Sequence, residues 1–191
     1  MGKHGILLAT ATFGALTCLA CVLPANAATE RDKAFVIKAA QAGMAEVQAA
    51  QLAIQYGVDA NVRDFAQRMI NDHSRANREL KQIATSEGFA LPAGPDASHR
   101  AELQRLSRLS GDAFDRNYTQ DQIRDHRAAV NLFQSEINRG ANPQLRQFAE
   151  STLPTLQMHR SMTYEVAASL PARPSLLAHR TMRHHRRHRH H

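Results

Sequence analysis

The sequence predicts an all-α protein, an antiparallel four-helix bundle with a short extra helix between the second and third long helices. Three observations support this prediction. Four long segments carry apolar residues at helical spacing, glycine and proline residues separate these segments, and no segment alternates as a β-strand does. Amphipathic helices of this kind bury their apolar faces by packing against one another.

The first helix is predicted from Thr29 to about Tyr56, a stretch of strong helix formers without proline. Its apolar face consists of Phe35, Ala39, Ala42, Ala49, Ala53 and Tyr56. Glu46 occupies the position on this face between Ala42 and Ala49. A carboxyl group is costly to bury there unless it is paired, hydrogen-bonded or bound to a cation.

The second helix follows the break at Gly57-Val58-Asp59 and is predicted to run to about Glu87, where Gly88 ends it. Its apolar face consists of Val62, Ala66, Met69, Ala76, Leu80 and Ile83. His73 lies on the same face. A histidine in that position is either a buried hydrogen-bonding group or a metal ligand.

A loop over residues 89–98 contains Pro92 and Pro95, and a short helix is predicted from His99 to Ser110. The third long helix is predicted to begin between Phe114 and Thr119 and to end at Arg139. Its apolar face consists of Ile123, Val130, Phe133 and Ile137, with His126 between the first two.

The fourth long helix is predicted to begin at Pro143, after the turn over residues 140–142, and to end near Leu170. Its apolar face consists of Leu145, Ala149, Thr152, Leu156, Thr163, Val166 and Leu170, with His159 between Leu156 and Thr163. Pro154 is expected to kink this helix. Residues 57–66 resemble residues 140–149, which predicts two helical hairpins of similar plan.

The four polar residues on these faces are predicted to lie at similar heights in the bundle. At a rise of about 1.5 Å per residue, Glu46 lies roughly 16 Å before the first turn and His73 roughly 20 Å after it. His126 and His159 lie roughly 20 Å and 24 Å from the second turn. The sequence therefore predicts a layer of one carboxylate and three imidazoles.

Two interpretations of this layer stay open. Glu46, His73, His126 and His159 are suitable ligands for a transition metal such as zinc, copper, nickel, iron or manganese. Alternatively, a buried hydrogen-bond network fixes the register of the helices. Asp72 and Asp125 each precede a histidine of the layer, so they are either partners that orient imidazoles on adjacent helices or solvated charges.

The amino terminus has the pattern of a secretory signal. Lys3 and His4 precede an apolar stretch over residues 5–23, and the small residues before Ala27 predict cleavage after Ala27. An uncleaved membrane anchor is the alternative. Both cysteines, Cys18 and Cys21, lie within this segment, so the exported chain is expected to lack disulfides and thiolate ligands. The predicted domains are a signal over residues 1–27, a bundle over residues 28–170 and a tail over residues 171–191.

The excess of positive charge belongs to the tail. Of the 24 Lys and Arg residues, seven lie in the signal and the tail, which leaves 17 against 17 Asp and Glu in the body. Specific nucleic-acid binding is therefore not expected of the body. The tail is predicted to be disordered and either to collect metal ions or to contact anionic lipid or polysaccharide. Its candidate metal ligands are His184, His185, His188, His190 and His191.

Several stretches resemble a family of exported bacterial proteins known as domain of unknown function 4142. The resemblance lies in residues 35–46, in the stretch from Phe65-Ala66 to Asp72-His73, in residues 109–115 with Tyr118, and in His126 with residues 130–133. Leu153-Pro154 with His159 completes it. The resemblance implies a ferritin-like fold and a periplasmic or outer-membrane location, since many members carry the label of outer-membrane proteins.

The residues themselves argue against a ferritin-type di-iron centre. Such centres carry a Glu-x-x-His motif on two helices, but Ile70 and Leu156 stand three residues before His73 and His159. No nucleophile motif or glycine-rich phosphate loop is present, so an enzyme is not the favoured prediction. The favoured prediction is a metal-binding envelope protein, and its rival is a structural or interaction module.

Overall fold

The computed structural model describes residues 29–172, so the predicted signal segment and most of the predicted tail lie outside the described residues. Within this range the chain forms five α-helices and no strand, which confirms the all-α prediction. The helices are α1 (Glu30–Tyr56), α2 (Ala60–Glu87), α3 (Ala97–Leu106), α4 (Gly111–Arg139) and α5 (Pro143–Ser169).

The four long helices contact one another in a ring. α1 packs against α2, α2 against α5, α5 against α4, and α4 against α1. The short α3 lies against α1 and, over a smaller contact, against α4. The extensive contacts are therefore those between helices joined by the two short turns, α1 with α2 and α4 with α5.

Local sequence sets most of the helix ends. The Thr29 side chain accepts from the Asp32 amide and the Asp32 carboxylate accepts from the Thr29 amide, which forms a capping box at α1. At α2 and α5 the side chains of Asp59 and Asn142 cap the helix by accepting hydrogen bonds from backbone amides of the first turn. Gly88 ends α2 with φ of 74°, a left-handed conformation that favours glycine.

Three helix bounds differ from the prediction, the start of α4 and both ends of α3. α4 begins at Gly111, earlier than expected, because Phe114 and Tyr118 are fully buried and continue the inward face of the helix. α3 begins at Ala97, because Asp96 caps it through the His99 amide, and it ends at Leu106, before the predicted end at Ser110. α5 continues through Pro154 as one helix.

Two apolar clusters form the core. Every long helix contributes to both clusters, and the residue of the predicted polar layer lies between its two contributions. One cluster contains Phe35, Leu80, Val130 and Leu156, and the other contains Ala49, Met69, Tyr118 and Val166. Glu46, His73, His126 and His159 each fall between the members that their own helix contributes to the two clusters. The polar layer therefore interrupts a core that is otherwise apolar.

The two short turns are held by carboxylates from the opposite pair of helices. Asp32 on α1 accepts hydrogen bonds from the amides of Ala141 and Asn142, at 2.9 and 3.3 Å. Asp115 on α4 accepts from the amides of Val58 and Asp59, at 3.2 and 2.9 Å to Oδ2. The internal repeat in the sequence thus corresponds to two turns with the same kind of tertiary support.

Among the described residues, no helix combines the length and the apolar character that crossing a membrane requires.

Candidate metal centre

Three histidines from three different helices meet in the core. His73 comes from α2, His126 from α4 and His159 from α5, and their exposed fractions are 8%, 0% and 0%. Each residue offers one ring nitrogen, and these nitrogens all lie within 4.8 Å of one another. The ring centroids form a nearly equilateral triangle with sides of 5.5, 5.4 and 5.4 Å.

The contact between His73 and His126 has the dimensions of a shared metal site. Their Nε2 atoms lie 3.4 Å apart, which is long for a hydrogen bond. Two imidazole nitrogens bound at about 2.0–2.1 Å to one tetrahedral ion lie about 3.3 Å apart. An octahedral ion with similar bond lengths would bring them to about 2.9 Å. The spacing fits tetrahedral coordination better.

The second nitrogen of His126 is already engaged. His126 Nδ1 lies 3.1 Å from the carbonyl oxygen of Gln122, one helical turn earlier on α4. Because a carbonyl only accepts, Nδ1 carries the hydrogen and donates it, and the lone pair of the neutral ring resides on Nε2. That lone pair is on the atom that faces His73. A histidine ligand is commonly fixed in this way by a donor bond from its other nitrogen.

His159 is oriented by a carboxylate on the neighbouring helix. Its Nε2 donates to Asp72 Oδ2 at 3.0 Å, across the α2–α5 interface. The lone pair of the neutral ring is therefore on Nδ1, a buried atom with no hydrogen-bond partner among residues 29–172. An imidazole lone pair without a partner in a core is costly, and a metal ion would satisfy it.

Burial keeps the three rings neutral. It lowers the pKa of His126 and that of His159 to about 4 each. The hydrogen bonds with Gln122 O and with Asp72 raise these pKa values, but by less than burial lowers them. Burial, followed by the proximity of His126 and His159, holds the pKa of His73 well below its usual range. All three rings can therefore offer lone pairs at neutral pH, as metal coordination requires.

Glu46 lies beside the cluster without joining the three imidazoles. Its Oε1 is 3.8 Å from His126 Nδ1, the nitrogen that faces Gln122 O, and its Oε2 accepts from Gln122 Nε2 at 2.6 Å. Burial, with a smaller contribution from Asp125, raises its pKa to about 8. The carboxyl group predicted as a fourth ligand is thus placed as a neighbour of His126.

The two aspartates that precede layer histidines are in different surroundings. Asp72 orients His159 and also accepts from Arg75 at 2.9 Å. Asp125 instead pairs with Arg124, with 3.1 Å between Nε and Oδ1. The tail histidines His184, His185, His188, His190 and His191 lie outside the described residues.

Two further polar residues of this region, Gln122 and Tyr118, are absent from the polar layer that the sequence predicts. Gln122 bridges α1 and α4 through Glu46, and the Tyr118 hydroxyl is buried without a hydrogen-bond partner among the described residues. Both precede His126 at multiples of four residues, so they continue its face of α4. That spacing is the signal by which they could have been found.

A protein family matches most of this chain. The family described as "Domain of unknown function (DUF4142)" matches residues 21–166. The chain belongs to this family. The match confirms the resemblance seen in the sequence, and DUF4142 carries no assigned activity. No curated protein matches the chain.

The DUF4142 chain is similar in structure to two crystal structures of DUF305 proteins. A DUF305 fragment from Deinococcus radiodurans superposes with a TM-score of 0.68 at 19% identity, covering 76% of this chain and 100% of the fragment. A DUF305 protein from Streptomyces coelicolor superposes with a TM-score of 0.62 at 14% identity, and its name gives it as a protein predicted to be secreted. That match covers 72% of this chain and 90% of the other. At these identities the likeness concerns the fold alone.

Proposed function

We propose that this DUF4142 protein binds one transition-metal ion through His73, His126 and His159. The observation that carries the proposal is the convergence of three buried, neutral imidazoles from three helices. Three imidazole nitrogens, two of them 3.4 Å apart, suit Zn²⁺ or a copper ion better than hard ions such as Mg²⁺. The cluster lacks the bridging carboxylates of a di-iron centre, so the proposed site is mononuclear.

The surroundings of the cluster support coordination. Gln122 O fixes the orientation of His126, and Asp72 fixes that of His159. Partners of this kind hold a ring in the tautomer that presents its lone pair to the metal. A site whose ligands are already oriented loses little conformational entropy when the ion binds.

The wider setting of the proposal is an exported, ferritin-like bundle. The ring of contacts among the four long helices is compatible with that fold. The similarity to a DUF305 protein predicted to be secreted supports export, as does the signal pattern before Ala27. We propose cleavage after Ala27 and a periplasmic or outer-membrane location, with the tail contacting anionic envelope components or metal ions.

Metal stoichiometry tests the core site once the histidines of the tail have been replaced. In the tail-serine protein, His179, His184, His185, His188, His190 and His191 are replaced by serine and the chain keeps its full length. Dialysis against Zn²⁺ followed by elemental analysis is expected to give about one ion per chain. The His73→Ala, His126→Ala double variant is expected to lose that ion, because a single remaining imidazole binds weakly.

A matched control separates the cluster from histidine content in general. His99 is half-buried on α3 and lies outside the three-imidazole group, so His99→Ala in the same background should retain the ion. Circular dichroism shows whether each variant is helical. A helical tail-serine protein without bound metal would overturn the proposal.

A structural role is the second candidate, and one observation favours it. Hydrogen bonds across helices already join Glu46 on α1 to Gln122 on α4, and Asp72 on α2 to His159 on α5. In this reading His73 donates to His126 at 3.4 Å and the network fixes helix register without an ion. It predicts normal folding without metal and lower stability in every cluster variant.

A further inference from the structure

A cavity of about 400 Å³ adjoins the histidine cluster. His73 and Glu46 form part of its lining, and both side chains are more than nine-tenths buried. His126 and His159 do not line it, so the cavity meets the cluster on the His73 side. Its volume lies within the range of about 300–1,000 Å³ that is usual for small-molecule sites.

Small residues on α1, α2 and α4 create this space. The walls contain Ala39, Ala42, Gly43, Ala76, Ala128 and Ala129. Aromatic and branched side chains, Phe133, Phe148, Leu80, Leu132 and Leu156, complete the apolar part of the lining. Larger residues at the alanine positions would fill the gap, so the space follows directly from the amino-acid choice.

The cavity extends from the protein surface to the polar layer. Lys38 and Ala128 are exposed, whereas His73 and Glu46 are buried, and all four belong to one lining. A small molecule can therefore reach the cluster without unfolding a helix. A tetrahedral ion held by three imidazoles keeps one coordination position for such a molecule.

We propose that the fourth coordination position of the bound metal opens into this cavity and takes a small apolar molecule with one neutral nitrogen donor. The proposal rests on the metal binding proposed above. The donor group would lie beside His73 and Glu46, and the apolar body would lie against the alanines, Phe133 and Phe148.

The lining indicates a neutral donor with an apolar body. The inner wall offers His73 and Glu46, and burial keeps both of these groups uncharged at neutral pH, so the wall carries no charge to balance that of an anionic ligand, which is costly to bury. Most of the remaining wall is hydrocarbon, which rewards apolar surface removed from water. A ligand that consists only of a charged head would leave this wall unused.

The test uses Co²⁺ as a spectroscopic substitute in the full-length tail-serine protein. Elemental analysis first shows whether about one Co²⁺ is bound and whether it is lost in the His73→Ala, His126→Ala variant. The protein is then titrated with imidazole, 4-phenylimidazole and azide while the visible absorption of Co²⁺ is recorded. We expect 4-phenylimidazole to change the spectrum and to bind about tenfold more tightly than imidazole, because its phenyl ring is buried.

Cavity-filling variants test whether the ligand binds in this cavity. Ala42→Leu and Ala129→Leu each narrow the cavity from a different helix, and Ala167→Leu makes the same change on the exposed side of α5. We expect either cavity variant to keep Co²⁺ and to lose the preference for 4-phenylimidazole, whereas Ala167→Leu retains it. If one cavity variant does not fold, the other still tests the proposal.

The outcomes separate the two proposals. Absence of core Co²⁺ overturns the metal site and the ligand site together. Bound Co²⁺ with a spectrum insensitive to 4-phenylimidazole overturns the ligand site alone. Tighter binding of azide than of 4-phenylimidazole, or an unchanged preference in both cavity variants, also overturns the ligand site.

Discussion

Asp32 and Asp115 hold equivalent positions in the two halves of the chain, and each clamps the turn of the other half. They lie 83 residues apart, the same separation as Gly57 and Gly140 in the two turns. Asp32 accepts from the amides of Ala141 and Asn142, and Asp115 accepts from those of Val58 and Asp59. Each pair of helices therefore depends on the other pair for the geometry of its turn.

Removal of either clamp should destabilise the fold. Asp32→Ala and Asp115→Ala each leave backbone amides of a turn without their acceptor, which costs about 2 kcal/mol. The two carboxylates contact different turns and share no partner, so the double variant should lose close to the sum. Urea unfolding followed by circular dichroism measures this loss. Asp64→Asn, at an exposed position of α2, is the control and should stay within about 0.5 kcal/mol.

The pH dependence of stability should report on Glu136. This residue is 1% exposed, and burial, followed by the charge of Asp32, raises its pKa to about 7. Since its ordinary value is 4.5, the folded protein binds a proton that the unfolded chain releases between about pH 4.5 and 7. The contribution of Glu136 to stability is therefore present at low pH and lost as the pH rises through this window.

Glu136→Gln should remove that loss, because glutamine keeps the shape of the protonated acid without titrating. We expect the melting temperature of the variant to fall less than that of the wild type between pH 5 and pH 7.5. Parallel curves for the two proteins would contradict the assignment. Both are compared after treatment with a chelator, so that metal binding does not contribute to the difference.

The two Asp-His pairs should respond differently to the same substitution. Asp72 orients His159, so Asp72→Asn should weaken Zn²⁺ binding about 10- to 100-fold in the tail-serine protein. Asp125 pairs with Arg124 instead, and Asp125→Asn should leave the affinity nearly unchanged. Competition with a chromophoric chelator gives both affinities. Equal losses of Zn²⁺ affinity in the two variants would show that Asp72 acts only through its negative charge and not by orienting His159.

The left-handed residue at the end of α2 should tolerate substitution poorly. Gly88 has φ of 74°, and Gly88→Ala should cost about 1 kcal/mol because a Cβ atom strains that conformation. Gly94 in the following loop has open space around it and does not have a positive φ. Gly94→Ala is therefore expected to be neutral or slightly stabilising, and chemical denaturation of both variants measures the difference.

The sequence predicted the helices well where local signals govern them. The bounds of α1 and α2 agree with the predicted ones to within one residue, because Asp59 and Gly88 act on the backbone next to them. The start of α4, at Gly111, lies before the predicted one. Its first turns are set by the burial of Phe114 and Tyr118 against residues distant in sequence, which no local signal reports.

Helical periodicity alone placed one polar residue on the inward face of each long helix, Glu46, His73, His126 and His159, and all four are buried. It did not determine which nitrogen of each ring faces its neighbours. Nor did it show that Asp72 forms a hydrogen bond with a histidine whereas Asp125 pairs with Arg124, or that Glu46 accepts a hydrogen bond from Gln122. Periodicity fixes an angle around one helix axis, whereas these contacts depend on rotations and heights between helices. Only the tertiary packing decided them, and with them whether three imidazoles come close enough to share an ion.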